Sequence, residues 1–364
     1  MTEERTPEET AYLQAVLQAS VLAASALGEM ERVAEALAPE RSRGLAEAID
    51  QRFSQDLGPI ENALAAAPPP DGFAPFNEIF SQAFAHTTRC IRTFASFPSA
   101  PTAERIPRIL ESLHYHAQAQ EGFYVVRQLL PPFEYYWTTQ EARDGGLADP
   151  PPARDRPPLM RVSAGGHHGG FSVYLPEQYD ESRAWPLIVA LHGGSGNGRD
   201  FLWTWVREAK SRGYLLVAPS SHGDTWGEGD DVGLLEILAW LGKRYRIAND
   251  QVLLTGLSDG ATFSLVYGLA HPDRYRALAP CCGVFHPVSF GNGNLDRARG
   301  VPIYLVHGAK DFLFPIQYAH MTRDVLTQAN ADLTYREIAD LSHTYPRSEN
   351  AAILQWFEGI CAAS

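Results

Sequence analysis

Cysteine is scarce. The 364-residue chain has four, Cys90, Cys281, Cys282 and Cys361. Two are adjacent and none stand in a CxxC spacing, so neither a disulfide framework nor a structural zinc site is expected. Positive charge is also short: 30 Lys and Arg face 43 Asp and Glu, a net charge of −13. That balance disfavours a nucleic-acid backbone or an anionic membrane surface as partner. The first residues, MTEERTPEET, are acidic where a secretory signal would begin with positive charge. Ala11–Leu27 is Ala-rich but interrupted by Gln14, Gln18, Ser20 and Ser25, and it reads as too polar and too short for a membrane span. A cytoplasmic protein with no membrane span is the expectation. The 45% hydrophobic content is that of a globular chain, long enough to bury most of its apolar surface.

Residues 1–130 read as helical. Thr6-Pro7-Glu8-Glu9 has a capping hydroxyl, a proline suited to the first helical position and carboxylates at the positive end of the dipole. Further helices are expected over Arg41–Leu64, Pro75–Phe97 and Thr102–Leu130, a small bundle bounded by proline runs. Residues 131–158 hold seven prolines and a Gly145-Gly146 pair and read as a linker. Within them the aromatic run Phe133, Tyr135, Tyr136, Trp137 is expected to pack on something.

From Leu159 the pattern becomes strands alternating with helices. Strands are expected at Leu159–Ser163, Gly170–Leu175, Leu187–Leu191, Leu215–Ala218, Val252–Thr255, Ala277–Pro280, Pro302–Val306 and Leu333–Ile338. Helices are expected at Arg199–Arg212, Val232–Tyr245, Asp259–Ala270, Pro315–Ala329 and Pro346–Ile360. Short apolar runs bounded by Gly or Pro suit strands covered on both faces. The predicted class is α/β, a doubly wound, mostly parallel sheet in residues 159–364, preceded by the helical domain.

The sharpest motif is Gly256-Leu257-Ser258-Asp259-Gly260, between a strand and a helix. A serine there stands on a tight turn at the C-terminal edge of the sheet, where it can act as a nucleophile. An inert serine in an ordinary strand–helix turn is the bland alternative. An activated serine needs a base, and the base needs an acid to hold its tautomer. Asp311 follows the strand Pro302–Val306, and His343 follows the strand Leu333–Ile338, in the order such a site requires. Asp340 lies on the wrong loop, His320 is in mid-helix, and His307 ends a strand beside the Asp311 turn. After Leu187–Leu191 comes His192-Gly193-Gly194-Ser195-Gly196-Asn197-Gly198, whose backbone N–H groups suit a developing oxyanion. It lacks the Lys-Ser/Thr of a phosphate-binding loop. Gly194 and Asp259 are the expected donors.

These stretches (LIVALHGGSGNG, the run from Val252 to Gly283, VPIYLVHGAKDFLFP and LSHTYP) resemble the α/β-hydrolase superfamily. Within it, residues 159–364 are similar to single-domain esterases related to polyhydroxyalkanoate depolymerases, feruloyl esterases and the phospholipase/carboxylesterase group. The resemblance implies a serine carboxylic-ester hydrolase with Ser258 as nucleophile, Asp311 as acid, His343 as base, and Gly194 with Asp259 as oxyanion donors. Such chemistry uses no cofactor and no metal, and its partner is a small-molecule ester. Many relatives carry Ala, Gln or Met where this chain has Asp259. A serine peptidase or thioesterase would use the same machinery, and a catalytically silent binding module would share the fold.

Two further residues are weaker candidates for touching substrate. Trp226 stands in the Gly- and Asp-rich loop 219–231 either as a pocket wall or as the anchor of a solvated loop. Trp203 follows the oxyanion turn, two residues from Trp205, so on a helix the two face different ways. Phe285–Gly300 is short for a lid, and the helices of residues 1–130 either cover the cleft or mediate a homo-oligomer. His114 with His116, and His167 with His168, lack further ligands nearby and read as structural or exposed rather than metal-binding.

Overall fold

The computed structural model describes residues 6–147, 150, 157–163 and 169–363. The chain divides into two units, Met1–Trp137 and Thr138–Ser364.

The first unit is built on α1 (Pro7–Ala36), α2 (Ser42–Ala66), α3 (Ala74–Ser96) and α4 (Thr102–Val126). The Thr6 hydroxyl accepts from the Glu9 N–H at 3.1 Å, and the Glu9 carboxylate accepts from the Thr6 N–H at 2.8 Å. This reciprocal box satisfies two otherwise orphaned donors. The helix runs well past the Ala11–Leu27 window, through Gly28 to Ala36. The expectation that this stretch is too short for a span is therefore corrected: by length and composition α1 could cross a membrane, a test that a buried bundle helix also passes. Here Tyr12, Val16, Ala19, Ala23, Leu27 and Met30 form a buried stripe at helical spacing. Gly122 on α4 lets α3 come close, since a Cβ there would stand 2.7 Å from the Ala83 Cβ.

The expected linker boundary at 130–131 also moves. Phe133 stacks on Phe123 with ring centroids 4.5 Å apart, and buried Trp137 meets Tyr124 edge-on at 5.0 Å. The Trp137 indole N–H donates to the Gln120 side-chain Oε1 at 3.4 Å. Residues 131–137 thus belong to the helical unit, because two buried rings, Phe133 and Trp137, outweigh two prolines as a guide to packing, although Tyr135 stays exposed. Thr139 caps a short helix, Gln140–Asp144, of the second unit. Of the remaining stretch, residues 148–149 and 151–156 lie outside the described residues.

The second unit is organised on eight strands among the described residues: β1 (Leu159–Val162), β2 (Phe171–Tyr174), β3 (Trp185–Leu191), β4 (Leu215–Pro219), β5 (Ile247–Leu257), β6 (Ala277–Cys281), β7 (Pro302–Gly308) and β8 (Asp332–Ile338). Their order in the sheet is β1-β2-β4-β3-β5-β6-β7-β8. The β1–β2 and β2–β4 pairs are antiparallel, and every pair from β4 to β8 is parallel. This is the mostly parallel α/β sheet expected. β4 and β6 are buried along their whole length, as strands covered on both faces must be. The helix expected over Arg199–Arg212 is instead broken into Gly198–Phe201, a 3-10 turn at Leu202–Thr204, and Val206–Arg212. A straight helix would point Trp203 and Trp205 in different directions, and the break lets both be buried.

Parallel strands place their following loops at one edge of the sheet, where open α/β sheets hold their ligands. The loops after β3, β5, β7 and β8 carry Gly194, Ser258, Asp311 and His343 to that edge. Packing in the helical unit is testable: Gly122→Val is expected to lower its stability by about 1–3 kcal/mol through overpacking against Ala83, read as a shifted urea midpoint with an unchanged slope.

Candidate functional site

Ser258 sits between β5 and the helix Asp259–Ala270 with φ 56° and ψ −114°. A non-glycine residue rarely adopts positive φ, and such strain costs about 1–3 kcal/mol unless the surroundings enforce it. The enforcement is visible. The Ser258 N–H donates to the Cys281 carbonyl at 2.9 Å, and its own carbonyl accepts from Thr262 at 2.9 Å. A Cβ on Gly256 would meet the Gly260 backbone at 2.7 Å, and one on Gly260 would stand 2.3 Å from the His192 carbonyl oxygen. Both flanking positions therefore admit only glycine at this closeness of strand, turn and helix.

The imidazole of His343 bridges the other two expected residues. Its Nε2 lies 2.7 Å from Ser258 Oγ, and its Nδ1 lies 2.7 Å from Asp311 Oδ2. Asp311 Oδ1 accepts the backbone N–H groups of Leu313 at 2.9 Å and Phe314 at 2.8 Å. The carboxylate is thereby fixed as the acceptor for Nδ1–H, which leaves Nε2 free to accept the Ser258 hydroxyl proton. Phe314 stands edge-on to the His343 ring, centroids 5.4 Å apart. His307 lies under the same turn. Its Nε2 donates to the Phe314 carbonyl at 2.8 Å, and burial lowers its pKa, so it is held neutral as a support for the Asp311 loop. Asp340 is exposed and paired with Lys310 at 2.6 Å, and His320 pairs with Glu337 at 2.8 Å; neither approaches Ser258 by these contacts.

Cys282 is a residue that sequence reasoning left unassigned at this edge. It too has positive φ, 54°. Burial pushes its thiol up to about 12, with the Asp311 charge adding to the effect, so it is not a thiolate at neutral pH.

The glycine turn after β3 faces Ser258, and a Cβ on Gly193 would stand 3.5 Å from the Ser258 Cβ. Among the described residues neither the Gly194 nor the Asp259 N–H has a hydrogen-bond acceptor. His192 organises the turn. Its Nδ1 donates to the Gly193 carbonyl at 2.7 Å and its Nε2 accepts the Ser221 N–H at 3.1 Å, which assigns a neutral ring with the proton on Nδ1.

Trp226 takes the second of its two expected forms, the anchor. It is 7% exposed. Its Nε1–H donates to the His192 carbonyl at 2.8 Å, its ring stacks on Phe263 at 5.6 Å, and its backbone N–H donates to Asp259 Oδ2 at 2.6 Å. Asp230 accepts from the His222 N–H at 2.9 Å, from His222 Nδ1 at 2.7 Å and from the Gly227 N–H at 2.8 Å. So Asp230, one of the carboxylates in this acidic loop, is engaged in folding the loop. Trp203 is buried, 2% exposed, and offers no ring face for a substrate. These roles leave no local pattern in the sequence: Trp226 and Asp259 are 33 residues apart.

Among the described residues no three His, Cys, Asp or Glu side chains converge as a metal site would require. His116 instead bonds the Leu27 carbonyl at 3.0 Å and Gln120 at 3.2 Å, while His114 contacts Gln118 at 2.8 Å. His167 and His168 lie outside the described residues.

Burial raises the pKa of the half-buried Asp259; the Trp226 N–H offsets this in part, the Asp230 charge adds to it, and His286 opposes it. A carboxyl whose folded value is raised loses stability as pH climbs from the ordinary carboxylate range through that folded value. Asp259→Asn keeps an acceptor oxygen and removes the charge. Its melting temperature is expected to exceed that of the wild type at pH 7, the gap closing as the pH is lowered into the carboxylate range.

Comparison with known proteins gives the same outline. Residues 236–359 match the phospholipase/carboxylesterase family. The chain is similar to the probable acetylxylan esterase A of Aspergillus clavatus, 24% identical over 169 residues that make up 42% of this chain and 53% of that protein. It is similar to dipeptidyl-peptidase 5 of Porphyromonas gingivalis, 29% identical over 35% of this chain and 21% of that protein. The S-formylglutathione hydrolase of Staphylococcus aureus aligns with 56% of this chain and 97% of its own, with a TM-score of 0.47 and 16% identity. The chain thus spans about half, or less, of the curated relatives named here. The sheet order and the strand–Ser258–helix turn give the second unit a mostly parallel α/β fold, and its sequence is similar to that of esterase-like α/β-hydrolases.

Proposed function

We propose that the protein is a serine carboxylic-ester hydrolase that works through an acyl-enzyme. One observation carries the reading: an unbroken chain of contacts, Ser258 Oγ to His343 Nε2 and His343 Nδ1 to Asp311, beside a backbone turn with unoccupied N–H groups. His343 takes the Ser258 proton as Oγ attacks the ester carbonyl. Asp311 orients the imidazole and stabilises its charged form. The N–H groups of Gly194 and Asp259 receive the oxyanion, and such donors contribute about 3–4 kcal/mol each to barrier lowering. His343 then returns the proton to the leaving alcohol. Water, activated by the same imidazole, attacks the acyl-enzyme and releases the acid. Every proton in this cycle moves between Ser258, His343, substrate and water.

The likeness to acetylxylan esterase favours an ester of a small acid as substrate. A second reading, a serine peptidase, rests on the likeness to dipeptidyl-peptidase 5, which covers only 21% of that protein. The two separate on a panel of p-nitrophenyl acetate and butyrate, aminoacyl p-nitroanilides and acyl thioesters. The p-nitrophenyl esters are expected to turn over fastest; faster cleavage of an anilide or a thioester would overturn the ester assignment. Ser258→Ala is expected to abolish labelling by a fluorophosphonate probe and lower kcat by about 10,000-fold or more, and Asp311→Asn by roughly 1,000–10,000-fold. A folded wild-type chain that takes no label would favour a silent binding module instead.

A further inference from the structure

The proposed oxyanion turn is braced from outside by a loop that no part of the reaction cycle uses. Residues 221–231 touch that turn at three points. The Ser221 N–H donates to His192 Nε2 at 3.1 Å, the Asp224 carbonyl accepts the Ser195 N–H at 2.6 Å, and the Trp226 indole N–H donates to the His192 carbonyl at 2.8 Å. Ser195 itself has a positive φ of 59°, so the turn does not rest in a conformation the chain would prefer alone. The loop meets the helix after Ser258 through the stack of Trp226 on Phe263 at 5.6 Å and, among the described residues, through one hydrogen bond, from the Trp226 backbone N–H to Asp259 Oδ2 at 2.6 Å. Asp259 is thereby the point where both proposed oxyanion donors join: its own N–H is one donor, and its carboxylate holds the residue that clamps the turn bearing the other.

Resting on the function proposed above, we infer that the Asp259 side chain is a positioning residue. Through Trp226 and His192 it sets the distance between the Gly194 N–H and the helix start. It touches neither the triad nor the acyl group. It acts only by keeping two donors aimed at one point, and that aim matters most when negative charge has developed on the carbonyl oxygen. The cost of its loss falls on kcat rather than on KM, because a ground-state ester binds without the full oxyanion interaction. The His222–Asp230 pair, with the Gly227 N–H on the same carboxylate, folds the far half of the loop and keeps Trp226 in place.

The test uses the full-length chain and p-nitrophenyl butyrate. Asp259→Ala is expected to lower kcat by about 10–100-fold with KM within about twofold, since a displacement of order 1 Å costs up to about 100-fold. Asp259→Asn, which retains an acceptor for the Trp226 N–H, is expected to recover kcat to within about threefold of wild type. Trp226→Phe keeps the ring on Phe263 but deletes the indole donor, and is expected to lose kcat to a similar degree. Because the two residues act through one chain of contacts, the double variant should lose little more than either single one. Unchanged kcat in Asp259→Ala, a loss confined to KM, failure of Asn to restore the rate, or additive losses would each overturn the inference while wild-type turnover stands. A wild-type chain that neither hydrolyses the ester nor takes a fluorophosphonate label would overturn this inference and the proposed function together. Circular dichroism melts identify any variant that is unfolded, and in that event Trp226→Phe, the smaller perturbation, decides.

Discussion

The site depends on a backbone contact more than on any side chain: the crossing of the helix start at Gly260 over the carbonyl of His192. A single Cβ at Gly260 would collide with that oxygen at 2.3 Å. The crossing brings the end of β3 against the turn after β5, and so brings the glycine turn against Ser258. It also holds Ser258 at a positive φ that its own side chain opposes. The strain is local, and the surrounding hydrogen bonds to Cys281 and Thr262 sustain it. Relaxation of this turn would carry Ser258 Oγ away from His343 and separate the two proposed donors from a common focus.

The second constraint is polar. The site places several hydrogen-bonding groups where water access is limited, and most are matched, His307 Nδ1 and Ser342 Oγ being buried exceptions. Asp311 gives one oxygen to two backbone donors and the other to His343. His192 uses both ring nitrogens and its carbonyl. Asp230 satisfies three donors of its own loop. Half-buried Asp259 is the exception in energetic terms, carrying a raised pKa against a single strong donor. A group that is unfavourable where it stands, yet joins the two segments proposed to carry the oxyanion donors, points to a role beyond folding.

Much of this was legible in the sequence, for physical reasons that differ by element. Apolar runs such as LIVAL and PIYLV suit strands covered on both faces, so the strands could be placed along the chain, while their order in the sheet could not. The glycines around Ser258 mark a steric requirement, and steric requirements are visible residue by residue. The convergence of Ser258, Asp311 and His343 followed from their positions after parallel strands. What could not be read were features set by three-dimensional packing. The helix break between Phe201 and Val206 answers the need to bury Trp203 and Trp205 together. The aromatic residues at 133–137 lie in a proline-rich stretch and still join the helical unit, because burial of rings decides against backbone composition. The Ala11–Leu27 window likewise understated α1, which packing carries on to Ala36. The link from Asp259 to Trp226 depends on the path of a loop for which no local pattern codes.

If the proposed function holds, the hydroxyl of Ser258 becomes acylated during turnover. The direct measurement is mass spectrometry of the full-length protein, acid-quenched within the first turnovers with p-nitrophenyl butyrate, followed by peptide mapping. One butyryl group is expected on the peptide that contains Ser258, appearing before steady-state release of the acid and absent from His343→Ala. Steady ester cleavage with no acylated peptide, or with the acyl group on any other residue, would contradict the proposed function.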